Sequence, residues 1–193
     1  MDQPGFEQWV GRVFSGAEPS SSELWDDEAD CEVNWQLAYS TRLFLAPTFL
    51  LAEFSQEQLA AGLFKLPSSW QLTDLLWNPE QDWPSREGCI DAMYVLYRDL
   101  FTITPLDGVA FMWWDLLRYF GEDADPRTAS AVVRVLERVL TLPNEDCHWG
   151  ALHGLGHHGG ARRSAIIDTF LASTAVADEL REYALKARGG DVL

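Results

Sequence analysis

The stretch Asp-Pro-Arg-Thr-Ala-Ser-Ala-Val-Val-Arg-Val-Leu-Glu-Arg-Val-Leu, residues 125–140, decides the fold class. Asp125 has the short acceptor side chain that an N-cap needs. Pro126 suits the first helical position, where an N–H would be unpaired anyway. Ala129, Val132, Val133, Leu136, Val139 and Leu140 then recur at three- and four-residue spacing, which is one face of a helix.

The same grammar continues outward. Downstream, Asn144 caps a helix that carries Trp149, Leu152 and Leu155 and stops at Gly159-Gly160. Helices over 164–171 (Ile166, Ile167, Phe170, Leu171) and 176–188 follow, the last with Gly189 as its C-cap. Upstream, 106–120 places Val109, Met112, Trp113, Leu116, Leu117 and Phe120 on one face, with Phe111 and Trp114 opposite. This helix is expected to be buried on two sides, with Gly121 as its cap. Ser85 is read as the start of a helix with Ile90, Met93, Tyr94, Tyr97 and Phe101 in register. Ser55 and Gln58 form a capping-box pair ahead of Leu59, Leu63 and Phe64. Residues 33–46 read as a helix that stops before Pro47, and 6–14 as another; 67–84 is irregular, with one turn near 72–77. Period-two alternation bounded by turn pairs is not found, so the chain is expected to be a single all-α domain over 1–193.

The second half resembles the HEAT-like helical repeat family. Ala151, Leu152, Leu155, Gly156 and Gly159 match the end of one repeat helix. Ala165, Ile166, Phe170 and Leu171 match the next, and Arg181, Ala184 and Leu185 the one after. The likeness covers residues 126–188; the aromatic-rich first half departs from it. It implies antiparallel helical hairpins, stacked as an α-solenoid or gathered in an irregular bundle, with Gly154 and Gly156 letting helices approach closely. HEAT-like proteins are mostly binding scaffolds, and a few act on DNA or on cofactors.

Thirty acidic against 14 basic residues give a net charge of −16. Such a field repels phosphate backbones and anionic membranes, so neither a general nucleic-acid binder nor a membrane protein is expected. It favours encounter with a basic protein partner, and it also serves solubility. Cys31, Cys89 and Cys147 are too few and too widely spaced for a disulfide framework, and 1–10 lacks a signal-peptide pattern, so a cytoplasmic location is expected.

Residues 15–32 read as a flexible linker leading into an acidic arm, Glu23 to Glu32, without a basic residue. The arm is either a solvated loop or a docking element built on Trp25, Asp26, Asp27, Glu28 and Asp30. Trp70, Trp77 and Trp83 fall in the least regular segment; they are either core plugs or an exposed aromatic hot spot for a partner. His153 and His157 lie one helical turn apart, as paired metal ligands do, and Cys147 is the nearest third donor. Against a metal, the motif lacks the glutamate of the metalloprotease helix, and Cys147 is about 9 Å from His153 along the axis. The competing reading has His153 capping or packed in a helix interface, with His157 and His158 near the helix C-terminus, where the dipole favours positive charge. No phosphate loop or nucleophile elbow is found. The sequence therefore predicts a non-catalytic binding module without a cofactor, in concrete form an immunity- or inhibitor-like protein covering a basic toxin. A metal-dependent or Cys/His enzyme on residues 147–158 is the alternative. A HEAT-like DNA-acting protein is a third reading, which the charge opposes.

Overall fold

The structure, a computed structural model, describes residues 5–16, 35–104, 106, 108–119 and 125–192. Among these, every regular element is helical. In chain order the α-helices are α1 (Phe6–Phe14), α2 (Trp35–Leu45), α3 (Leu50–Glu53), α4 (Gln56–Lys65), α5 (Leu72–Trp77), α6 (Trp83–Leu96), α7 (Val109–Leu116), α8 (Pro126–Val139), α9 (Glu145–His158), α10 (Arg163–Ser173) and α11 (Asp178–Gly189), with short 3-10 turns at Pro47–Phe49 and Gly160–Arg162 and a π-helical end to α6 at Tyr97–Phe101. The acidic arm falls outside the described residues, and with it Cys31, Trp25, Asp26, Asp27, Glu28 and Asp30.

Side chains fix most of the helix starts. The Ser55 hydroxyl accepts from the Gln58 N–H while Gln58 Oε1 accepts from the Ser55 N–H, a complete capping box. Asn144 Oδ1 accepts from the Cys147 N–H at 2.9 Å, and its amide also reaches Thr102 O at 3.5 Å. Replacing Asn144 with Ala is expected to cost about 0.5–2 kcal/mol, read by urea denaturation. Several boundaries differ from the sequence reading: α7 spans only Val109–Leu116 where the spacing predicts 106–120, with Phe120 and its expected cap Gly121 outside the described residues. Helix α6 is capped by Asp82, whose Oδ2 accepts from the Ser85 N–H, so Ser85 is the third helical residue rather than the cap. The left-handed C-cap of α11 is Gly190 (φ 82°), and Gly189 is still helical.

Contacts along the helices give their relative directions. Leu136 packs at Gly154 and Leu142 O meets His148, so α8 and α9 run antiparallel. Asp168 pairs with Arg188 and Arg163 lies at Gly190, so α10 and α11 do the same. Between hairpins the order is parallel. The Arg127 guanidinium sits 4.9 Å from the Trp83 ring centre, Arg134 pairs with Glu87 and Asp91, and Arg138 sits 4.1 Å from the Tyr94 ring centre, so α8 lies alongside α6. Ala110 meets Gly150, Trp114 meets Gly154 and Asp115 meets His157, so α9 lies alongside α7.

Helix α9 is the hub. It packs on α7, α8, α10 and α11, and residues 150–156 are buried without a break. Glycines make this possible. A Cβ on Gly150 would lie 2.3 Å from Ala110 O, one on Gly154 2.7 Å from Leu136 Cδ2, and one on Gly156 2.3 Å from Val192 Cγ2. Gly88 of α6 is the contrast, exposed and with open space where a Cβ would stand. Gly88→Ala is expected to raise stability by about 0.5–1 kcal/mol by the same denaturation assay.

The charged centre of the fold joins α5, α6 and α8. Arg86 is fully buried; it donates to Asp125 Oδ2 at 2.8 Å, Thr128 Oγ1 at 3.2 Å and Gln81 O at 3.1 Å. Asp125, also the N-cap of α8, accepts in addition from Arg127. A buried guanidinium needs this full set of acceptors, because an isolated buried charge is costly.

Candidate functional site

The apolar packing that centres α9 also carries three of its polar side chains inward. His153 is fully buried: its ring lies 4.3 Å from Phe111, and its Nδ1 is 2.7 Å from the Tyr183 hydroxyl of α11. Tyr183 packs in turn on Trp149 at 4.8 Å. One turn on, the His157 ring stands nearly perpendicular to that of His153, with centres 4.7 Å apart. His157 Nε2 lies 3.5 Å from Asp115 Oδ1 of α7, without the alignment of a hydrogen bond, and Arg118 donates to the same oxygen at 3.1 Å. His158 Nε2–H donates to Trp114 O at 2.8 Å, and the ring stacks on Trp77.

Two ring nitrogens in this cluster, His153 Nε2 and His157 Nε2, are buried without a hydrogen-bond partner. A buried polar atom in that condition costs about 1–3 kcal/mol. Asp115, His153 and His157 each present a donor atom, and all three lie within 4.8 Å of one another.

The electrostatics keep the imidazoles neutral. Burial is the main cause lowering the proton affinity of His153 and of His157; the neighbouring His157 comes next for His153, Arg118 adds to the lowering of both, and Asp115 partly opposes it. His158 is pushed down to about 4, again chiefly by burial. His148 is lowered by burial as well. The sequence reading of His157 and His158 as cations at a helix C-terminus is therefore corrected, because burial outweighs the helix dipole. Tyr183 is pushed up to about 12 by burial and keeps its proton.

A pH effect follows with definite sign. All four histidines bind protons more weakly when folded than when unfolded. Their contribution to stability is complete above the unfolded value of about 6.5 and is lost as pH falls below it. The urea midpoint is expected to fall from pH 7 to pH 5; a midpoint that rises over that interval would contradict the neutral assignment.

Of the donors read from the sequence, His153 and His157 come together and Cys147 does not join them. Cys147 is buried near the start of α9, six residues from His153 and on a different face, and burial pushes its thiol up to about 12. The third member is Asp115, which sequence reasoning missed. Its signal was present: it is the single charged residue in the apolar run 109–117.

The proposed aromatic hot spot divides. Trp70 (2% exposed) and Trp77 (6% exposed) are core residues, and Trp77 Nε1–H donates to Leu117 O at 2.8 Å. Trp83 is half-buried; with Pro126, Arg127, Ser130 and Arg134 it lines an open cleft of about 330 Å³. The arginines are largely tied to carboxylates. Arg86 and Arg127 pair with Asp125, Arg98 with Asp99, Arg118 with Asp115, Arg134 with Glu87 and Asp91, Arg162 with Glu137, and Arg188 with Asp168. Among the described residues no helix is long and apolar enough to cross a membrane. No protein-family model, curated protein or solved structure matches the chain.

Proposed function

We propose that this chain is a non-catalytic binding protein that engages a basic protein partner through its acidic surface. The observation that carries the reading is the charge arrangement. The chain has a net charge of −16, and among the described residues seven arginines are each seen held by a carboxylate, so the acidic excess dominates the outer field. Such a field speeds encounter with a cationic surface and discriminates against nucleic acid.

The helical framework supports a HEAT-like reading of the scaffold. The α8–α9 and α10–α11 pairs are antiparallel, and α6 with α8 and α7 with α9 lie side by side in parallel, the way neighbouring repeats stack. In its concrete form the protein acts in the cytoplasm as an immunity- or inhibitor-like cover for a basic toxin. Trp25, Asp26, Asp27, Glu28 and Asp30 are the acidic-arm contacts in this proposal, and Trp83 is the aromatic contact on the helical body.

The test is affinity capture on the full chain from a lysate of its source, beside a variant carrying Asp26→Asn, Asp27→Asn, Glu28→Gln and Asp30→Asn. The expected result is a stoichiometric basic protein on the unaltered chain, strongly depleted on the variant. An acidic partner, or an equal yield on both baits, would overturn the reading.

A further inference from the structure

Apart from any protein partner, one cluster is built for a smaller ligand: we infer that Asp115, His153 and His157 form a binding site for a first-row divalent transition metal of the zinc type, bridging α7 and α9. Three observations converge on it. The donor atoms already lie within 4.8 Å of one another, in an N2O set that suits zinc and its neighbours. Both imidazoles carry a buried nitrogen without a hydrogen-bond partner, so each has a lone pair or N–H that the protein leaves unanswered. The other nitrogen of His153 is held by the Tyr183 hydroxyl at 2.7 Å, the outer-sphere hydrogen bond that orients a metal-bound histidine.

The dimensions are compatible. Zinc bonds of about 2.0–2.1 Å put tetrahedral donors about 3.3 Å apart. The His157–Asp115 separation of 3.5 Å is already near that spacing. The Asp115 carboxylate is 30% exposed and gives the ion its way in from solvent. Arg118 is the competitor built into the site, since a bound cation takes its place at Asp115. With three protein donors, the fourth position is open to water.

The test uses the full chain, treated with chelator and dialysed, then titrated with CoCl2 by visible absorption and with ZnCl2 by calorimetry. The expected result is one Co(II) per chain with the intense bands of low coordination number, displaced by zinc. His157→Gln and Asp115→Asn should abolish this signal, while His148→Gln, outside the cluster, should retain it. Tyr183→Phe keeps the packing and removes only the hydroxyl, so it is expected to weaken binding about tenfold while the far-UV circular dichroism spectrum at room temperature stays that of the folded protein. A folded chain that takes up no Co(II), or uptake undiminished in folded His157→Gln or Tyr183→Phe protein, would overturn the assignment.

Discussion

Asp125→Ala is expected to lower the free energy of unfolding by about 3–5 kcal/mol, the range for breaking a buried ion pair by removing one partner. The substitution leaves the fully buried Arg86 guanidinium without its carboxylate and removes the N-cap of α8 at the same time. Arg86→Met is expected to cost less, because Asp125 would still be held by Arg127 and the new side chain fills the volume. Urea denaturation of the three proteins reads the order directly; a larger loss in Arg86→Met than in Asp125→Ala would contradict it. The same carboxyl carries an acid-side dependence. Hydrogen bonds from Arg127 hold its proton affinity well below the ordinary carboxylate range, and those from Arg86 add to this. Its contribution is thus complete above about pH 4 and disappears as pH falls toward the folded value.

Gly150→Ala has the second large effect, and its sign runs against local propensity. Alanine is better than glycine inside a helix by about 1 kcal/mol. At Gly150, however, the new Cβ would stand 2.3 Å from Ala110 O and 3.1 Å from Tyr97 Oη, whose hydroxyl donates to that same carbonyl. A backbone oxygen cannot turn aside as a side-chain tip can, so α7 must shift off α9. The net cost is expected to be about 1–3 kcal/mol by denaturation, opposite in sign to Gly88→Ala. Because Asp115 rides on α7, the shift also draws it away from His157.

The pair of glycines shows what the sequence carried and what it did not. Helix existence was legible because caps and periodicity are local: Asp125-Pro126, Asn144 and the Ser55–Gln58 pair each announce a start. Boundaries slipped where two residues could do one job. Ser85 and Asp82 are both good caps, and only the observed hydrogen bond chooses Asp82. Gly189 and Gly190 both permit a left-handed turn, and the backbone takes it at Gly190. Gly154 and Gly156 were legible as close-approach positions, whereas Gly150 was not, nor which helix approaches.

The site was half legible for the same reason. His153 and His157 share a face by spacing alone, whereas Asp115 reaches them from 38 and 42 residues away in sequence, through the packing of α7 on α9. Neutral histidines at a helix C-terminus were not foreseeable from the dipole, since burial depends on what lies outside the helix. The aromatic segment 70–83 misled in part, because irregular spacing looks like surface, while Trp70 and Trp77 reach the core from a short helix and its flank.

The proposed engagement of a basic partner rests on electrostatics. The decisive measurement is the association rate of the captured partner with the full chain at two ionic strengths. The predicted result is a rate that falls steeply as salt rises, while the dissociation rate changes little. An association rate that is flat across the two salt concentrations would contradict the account.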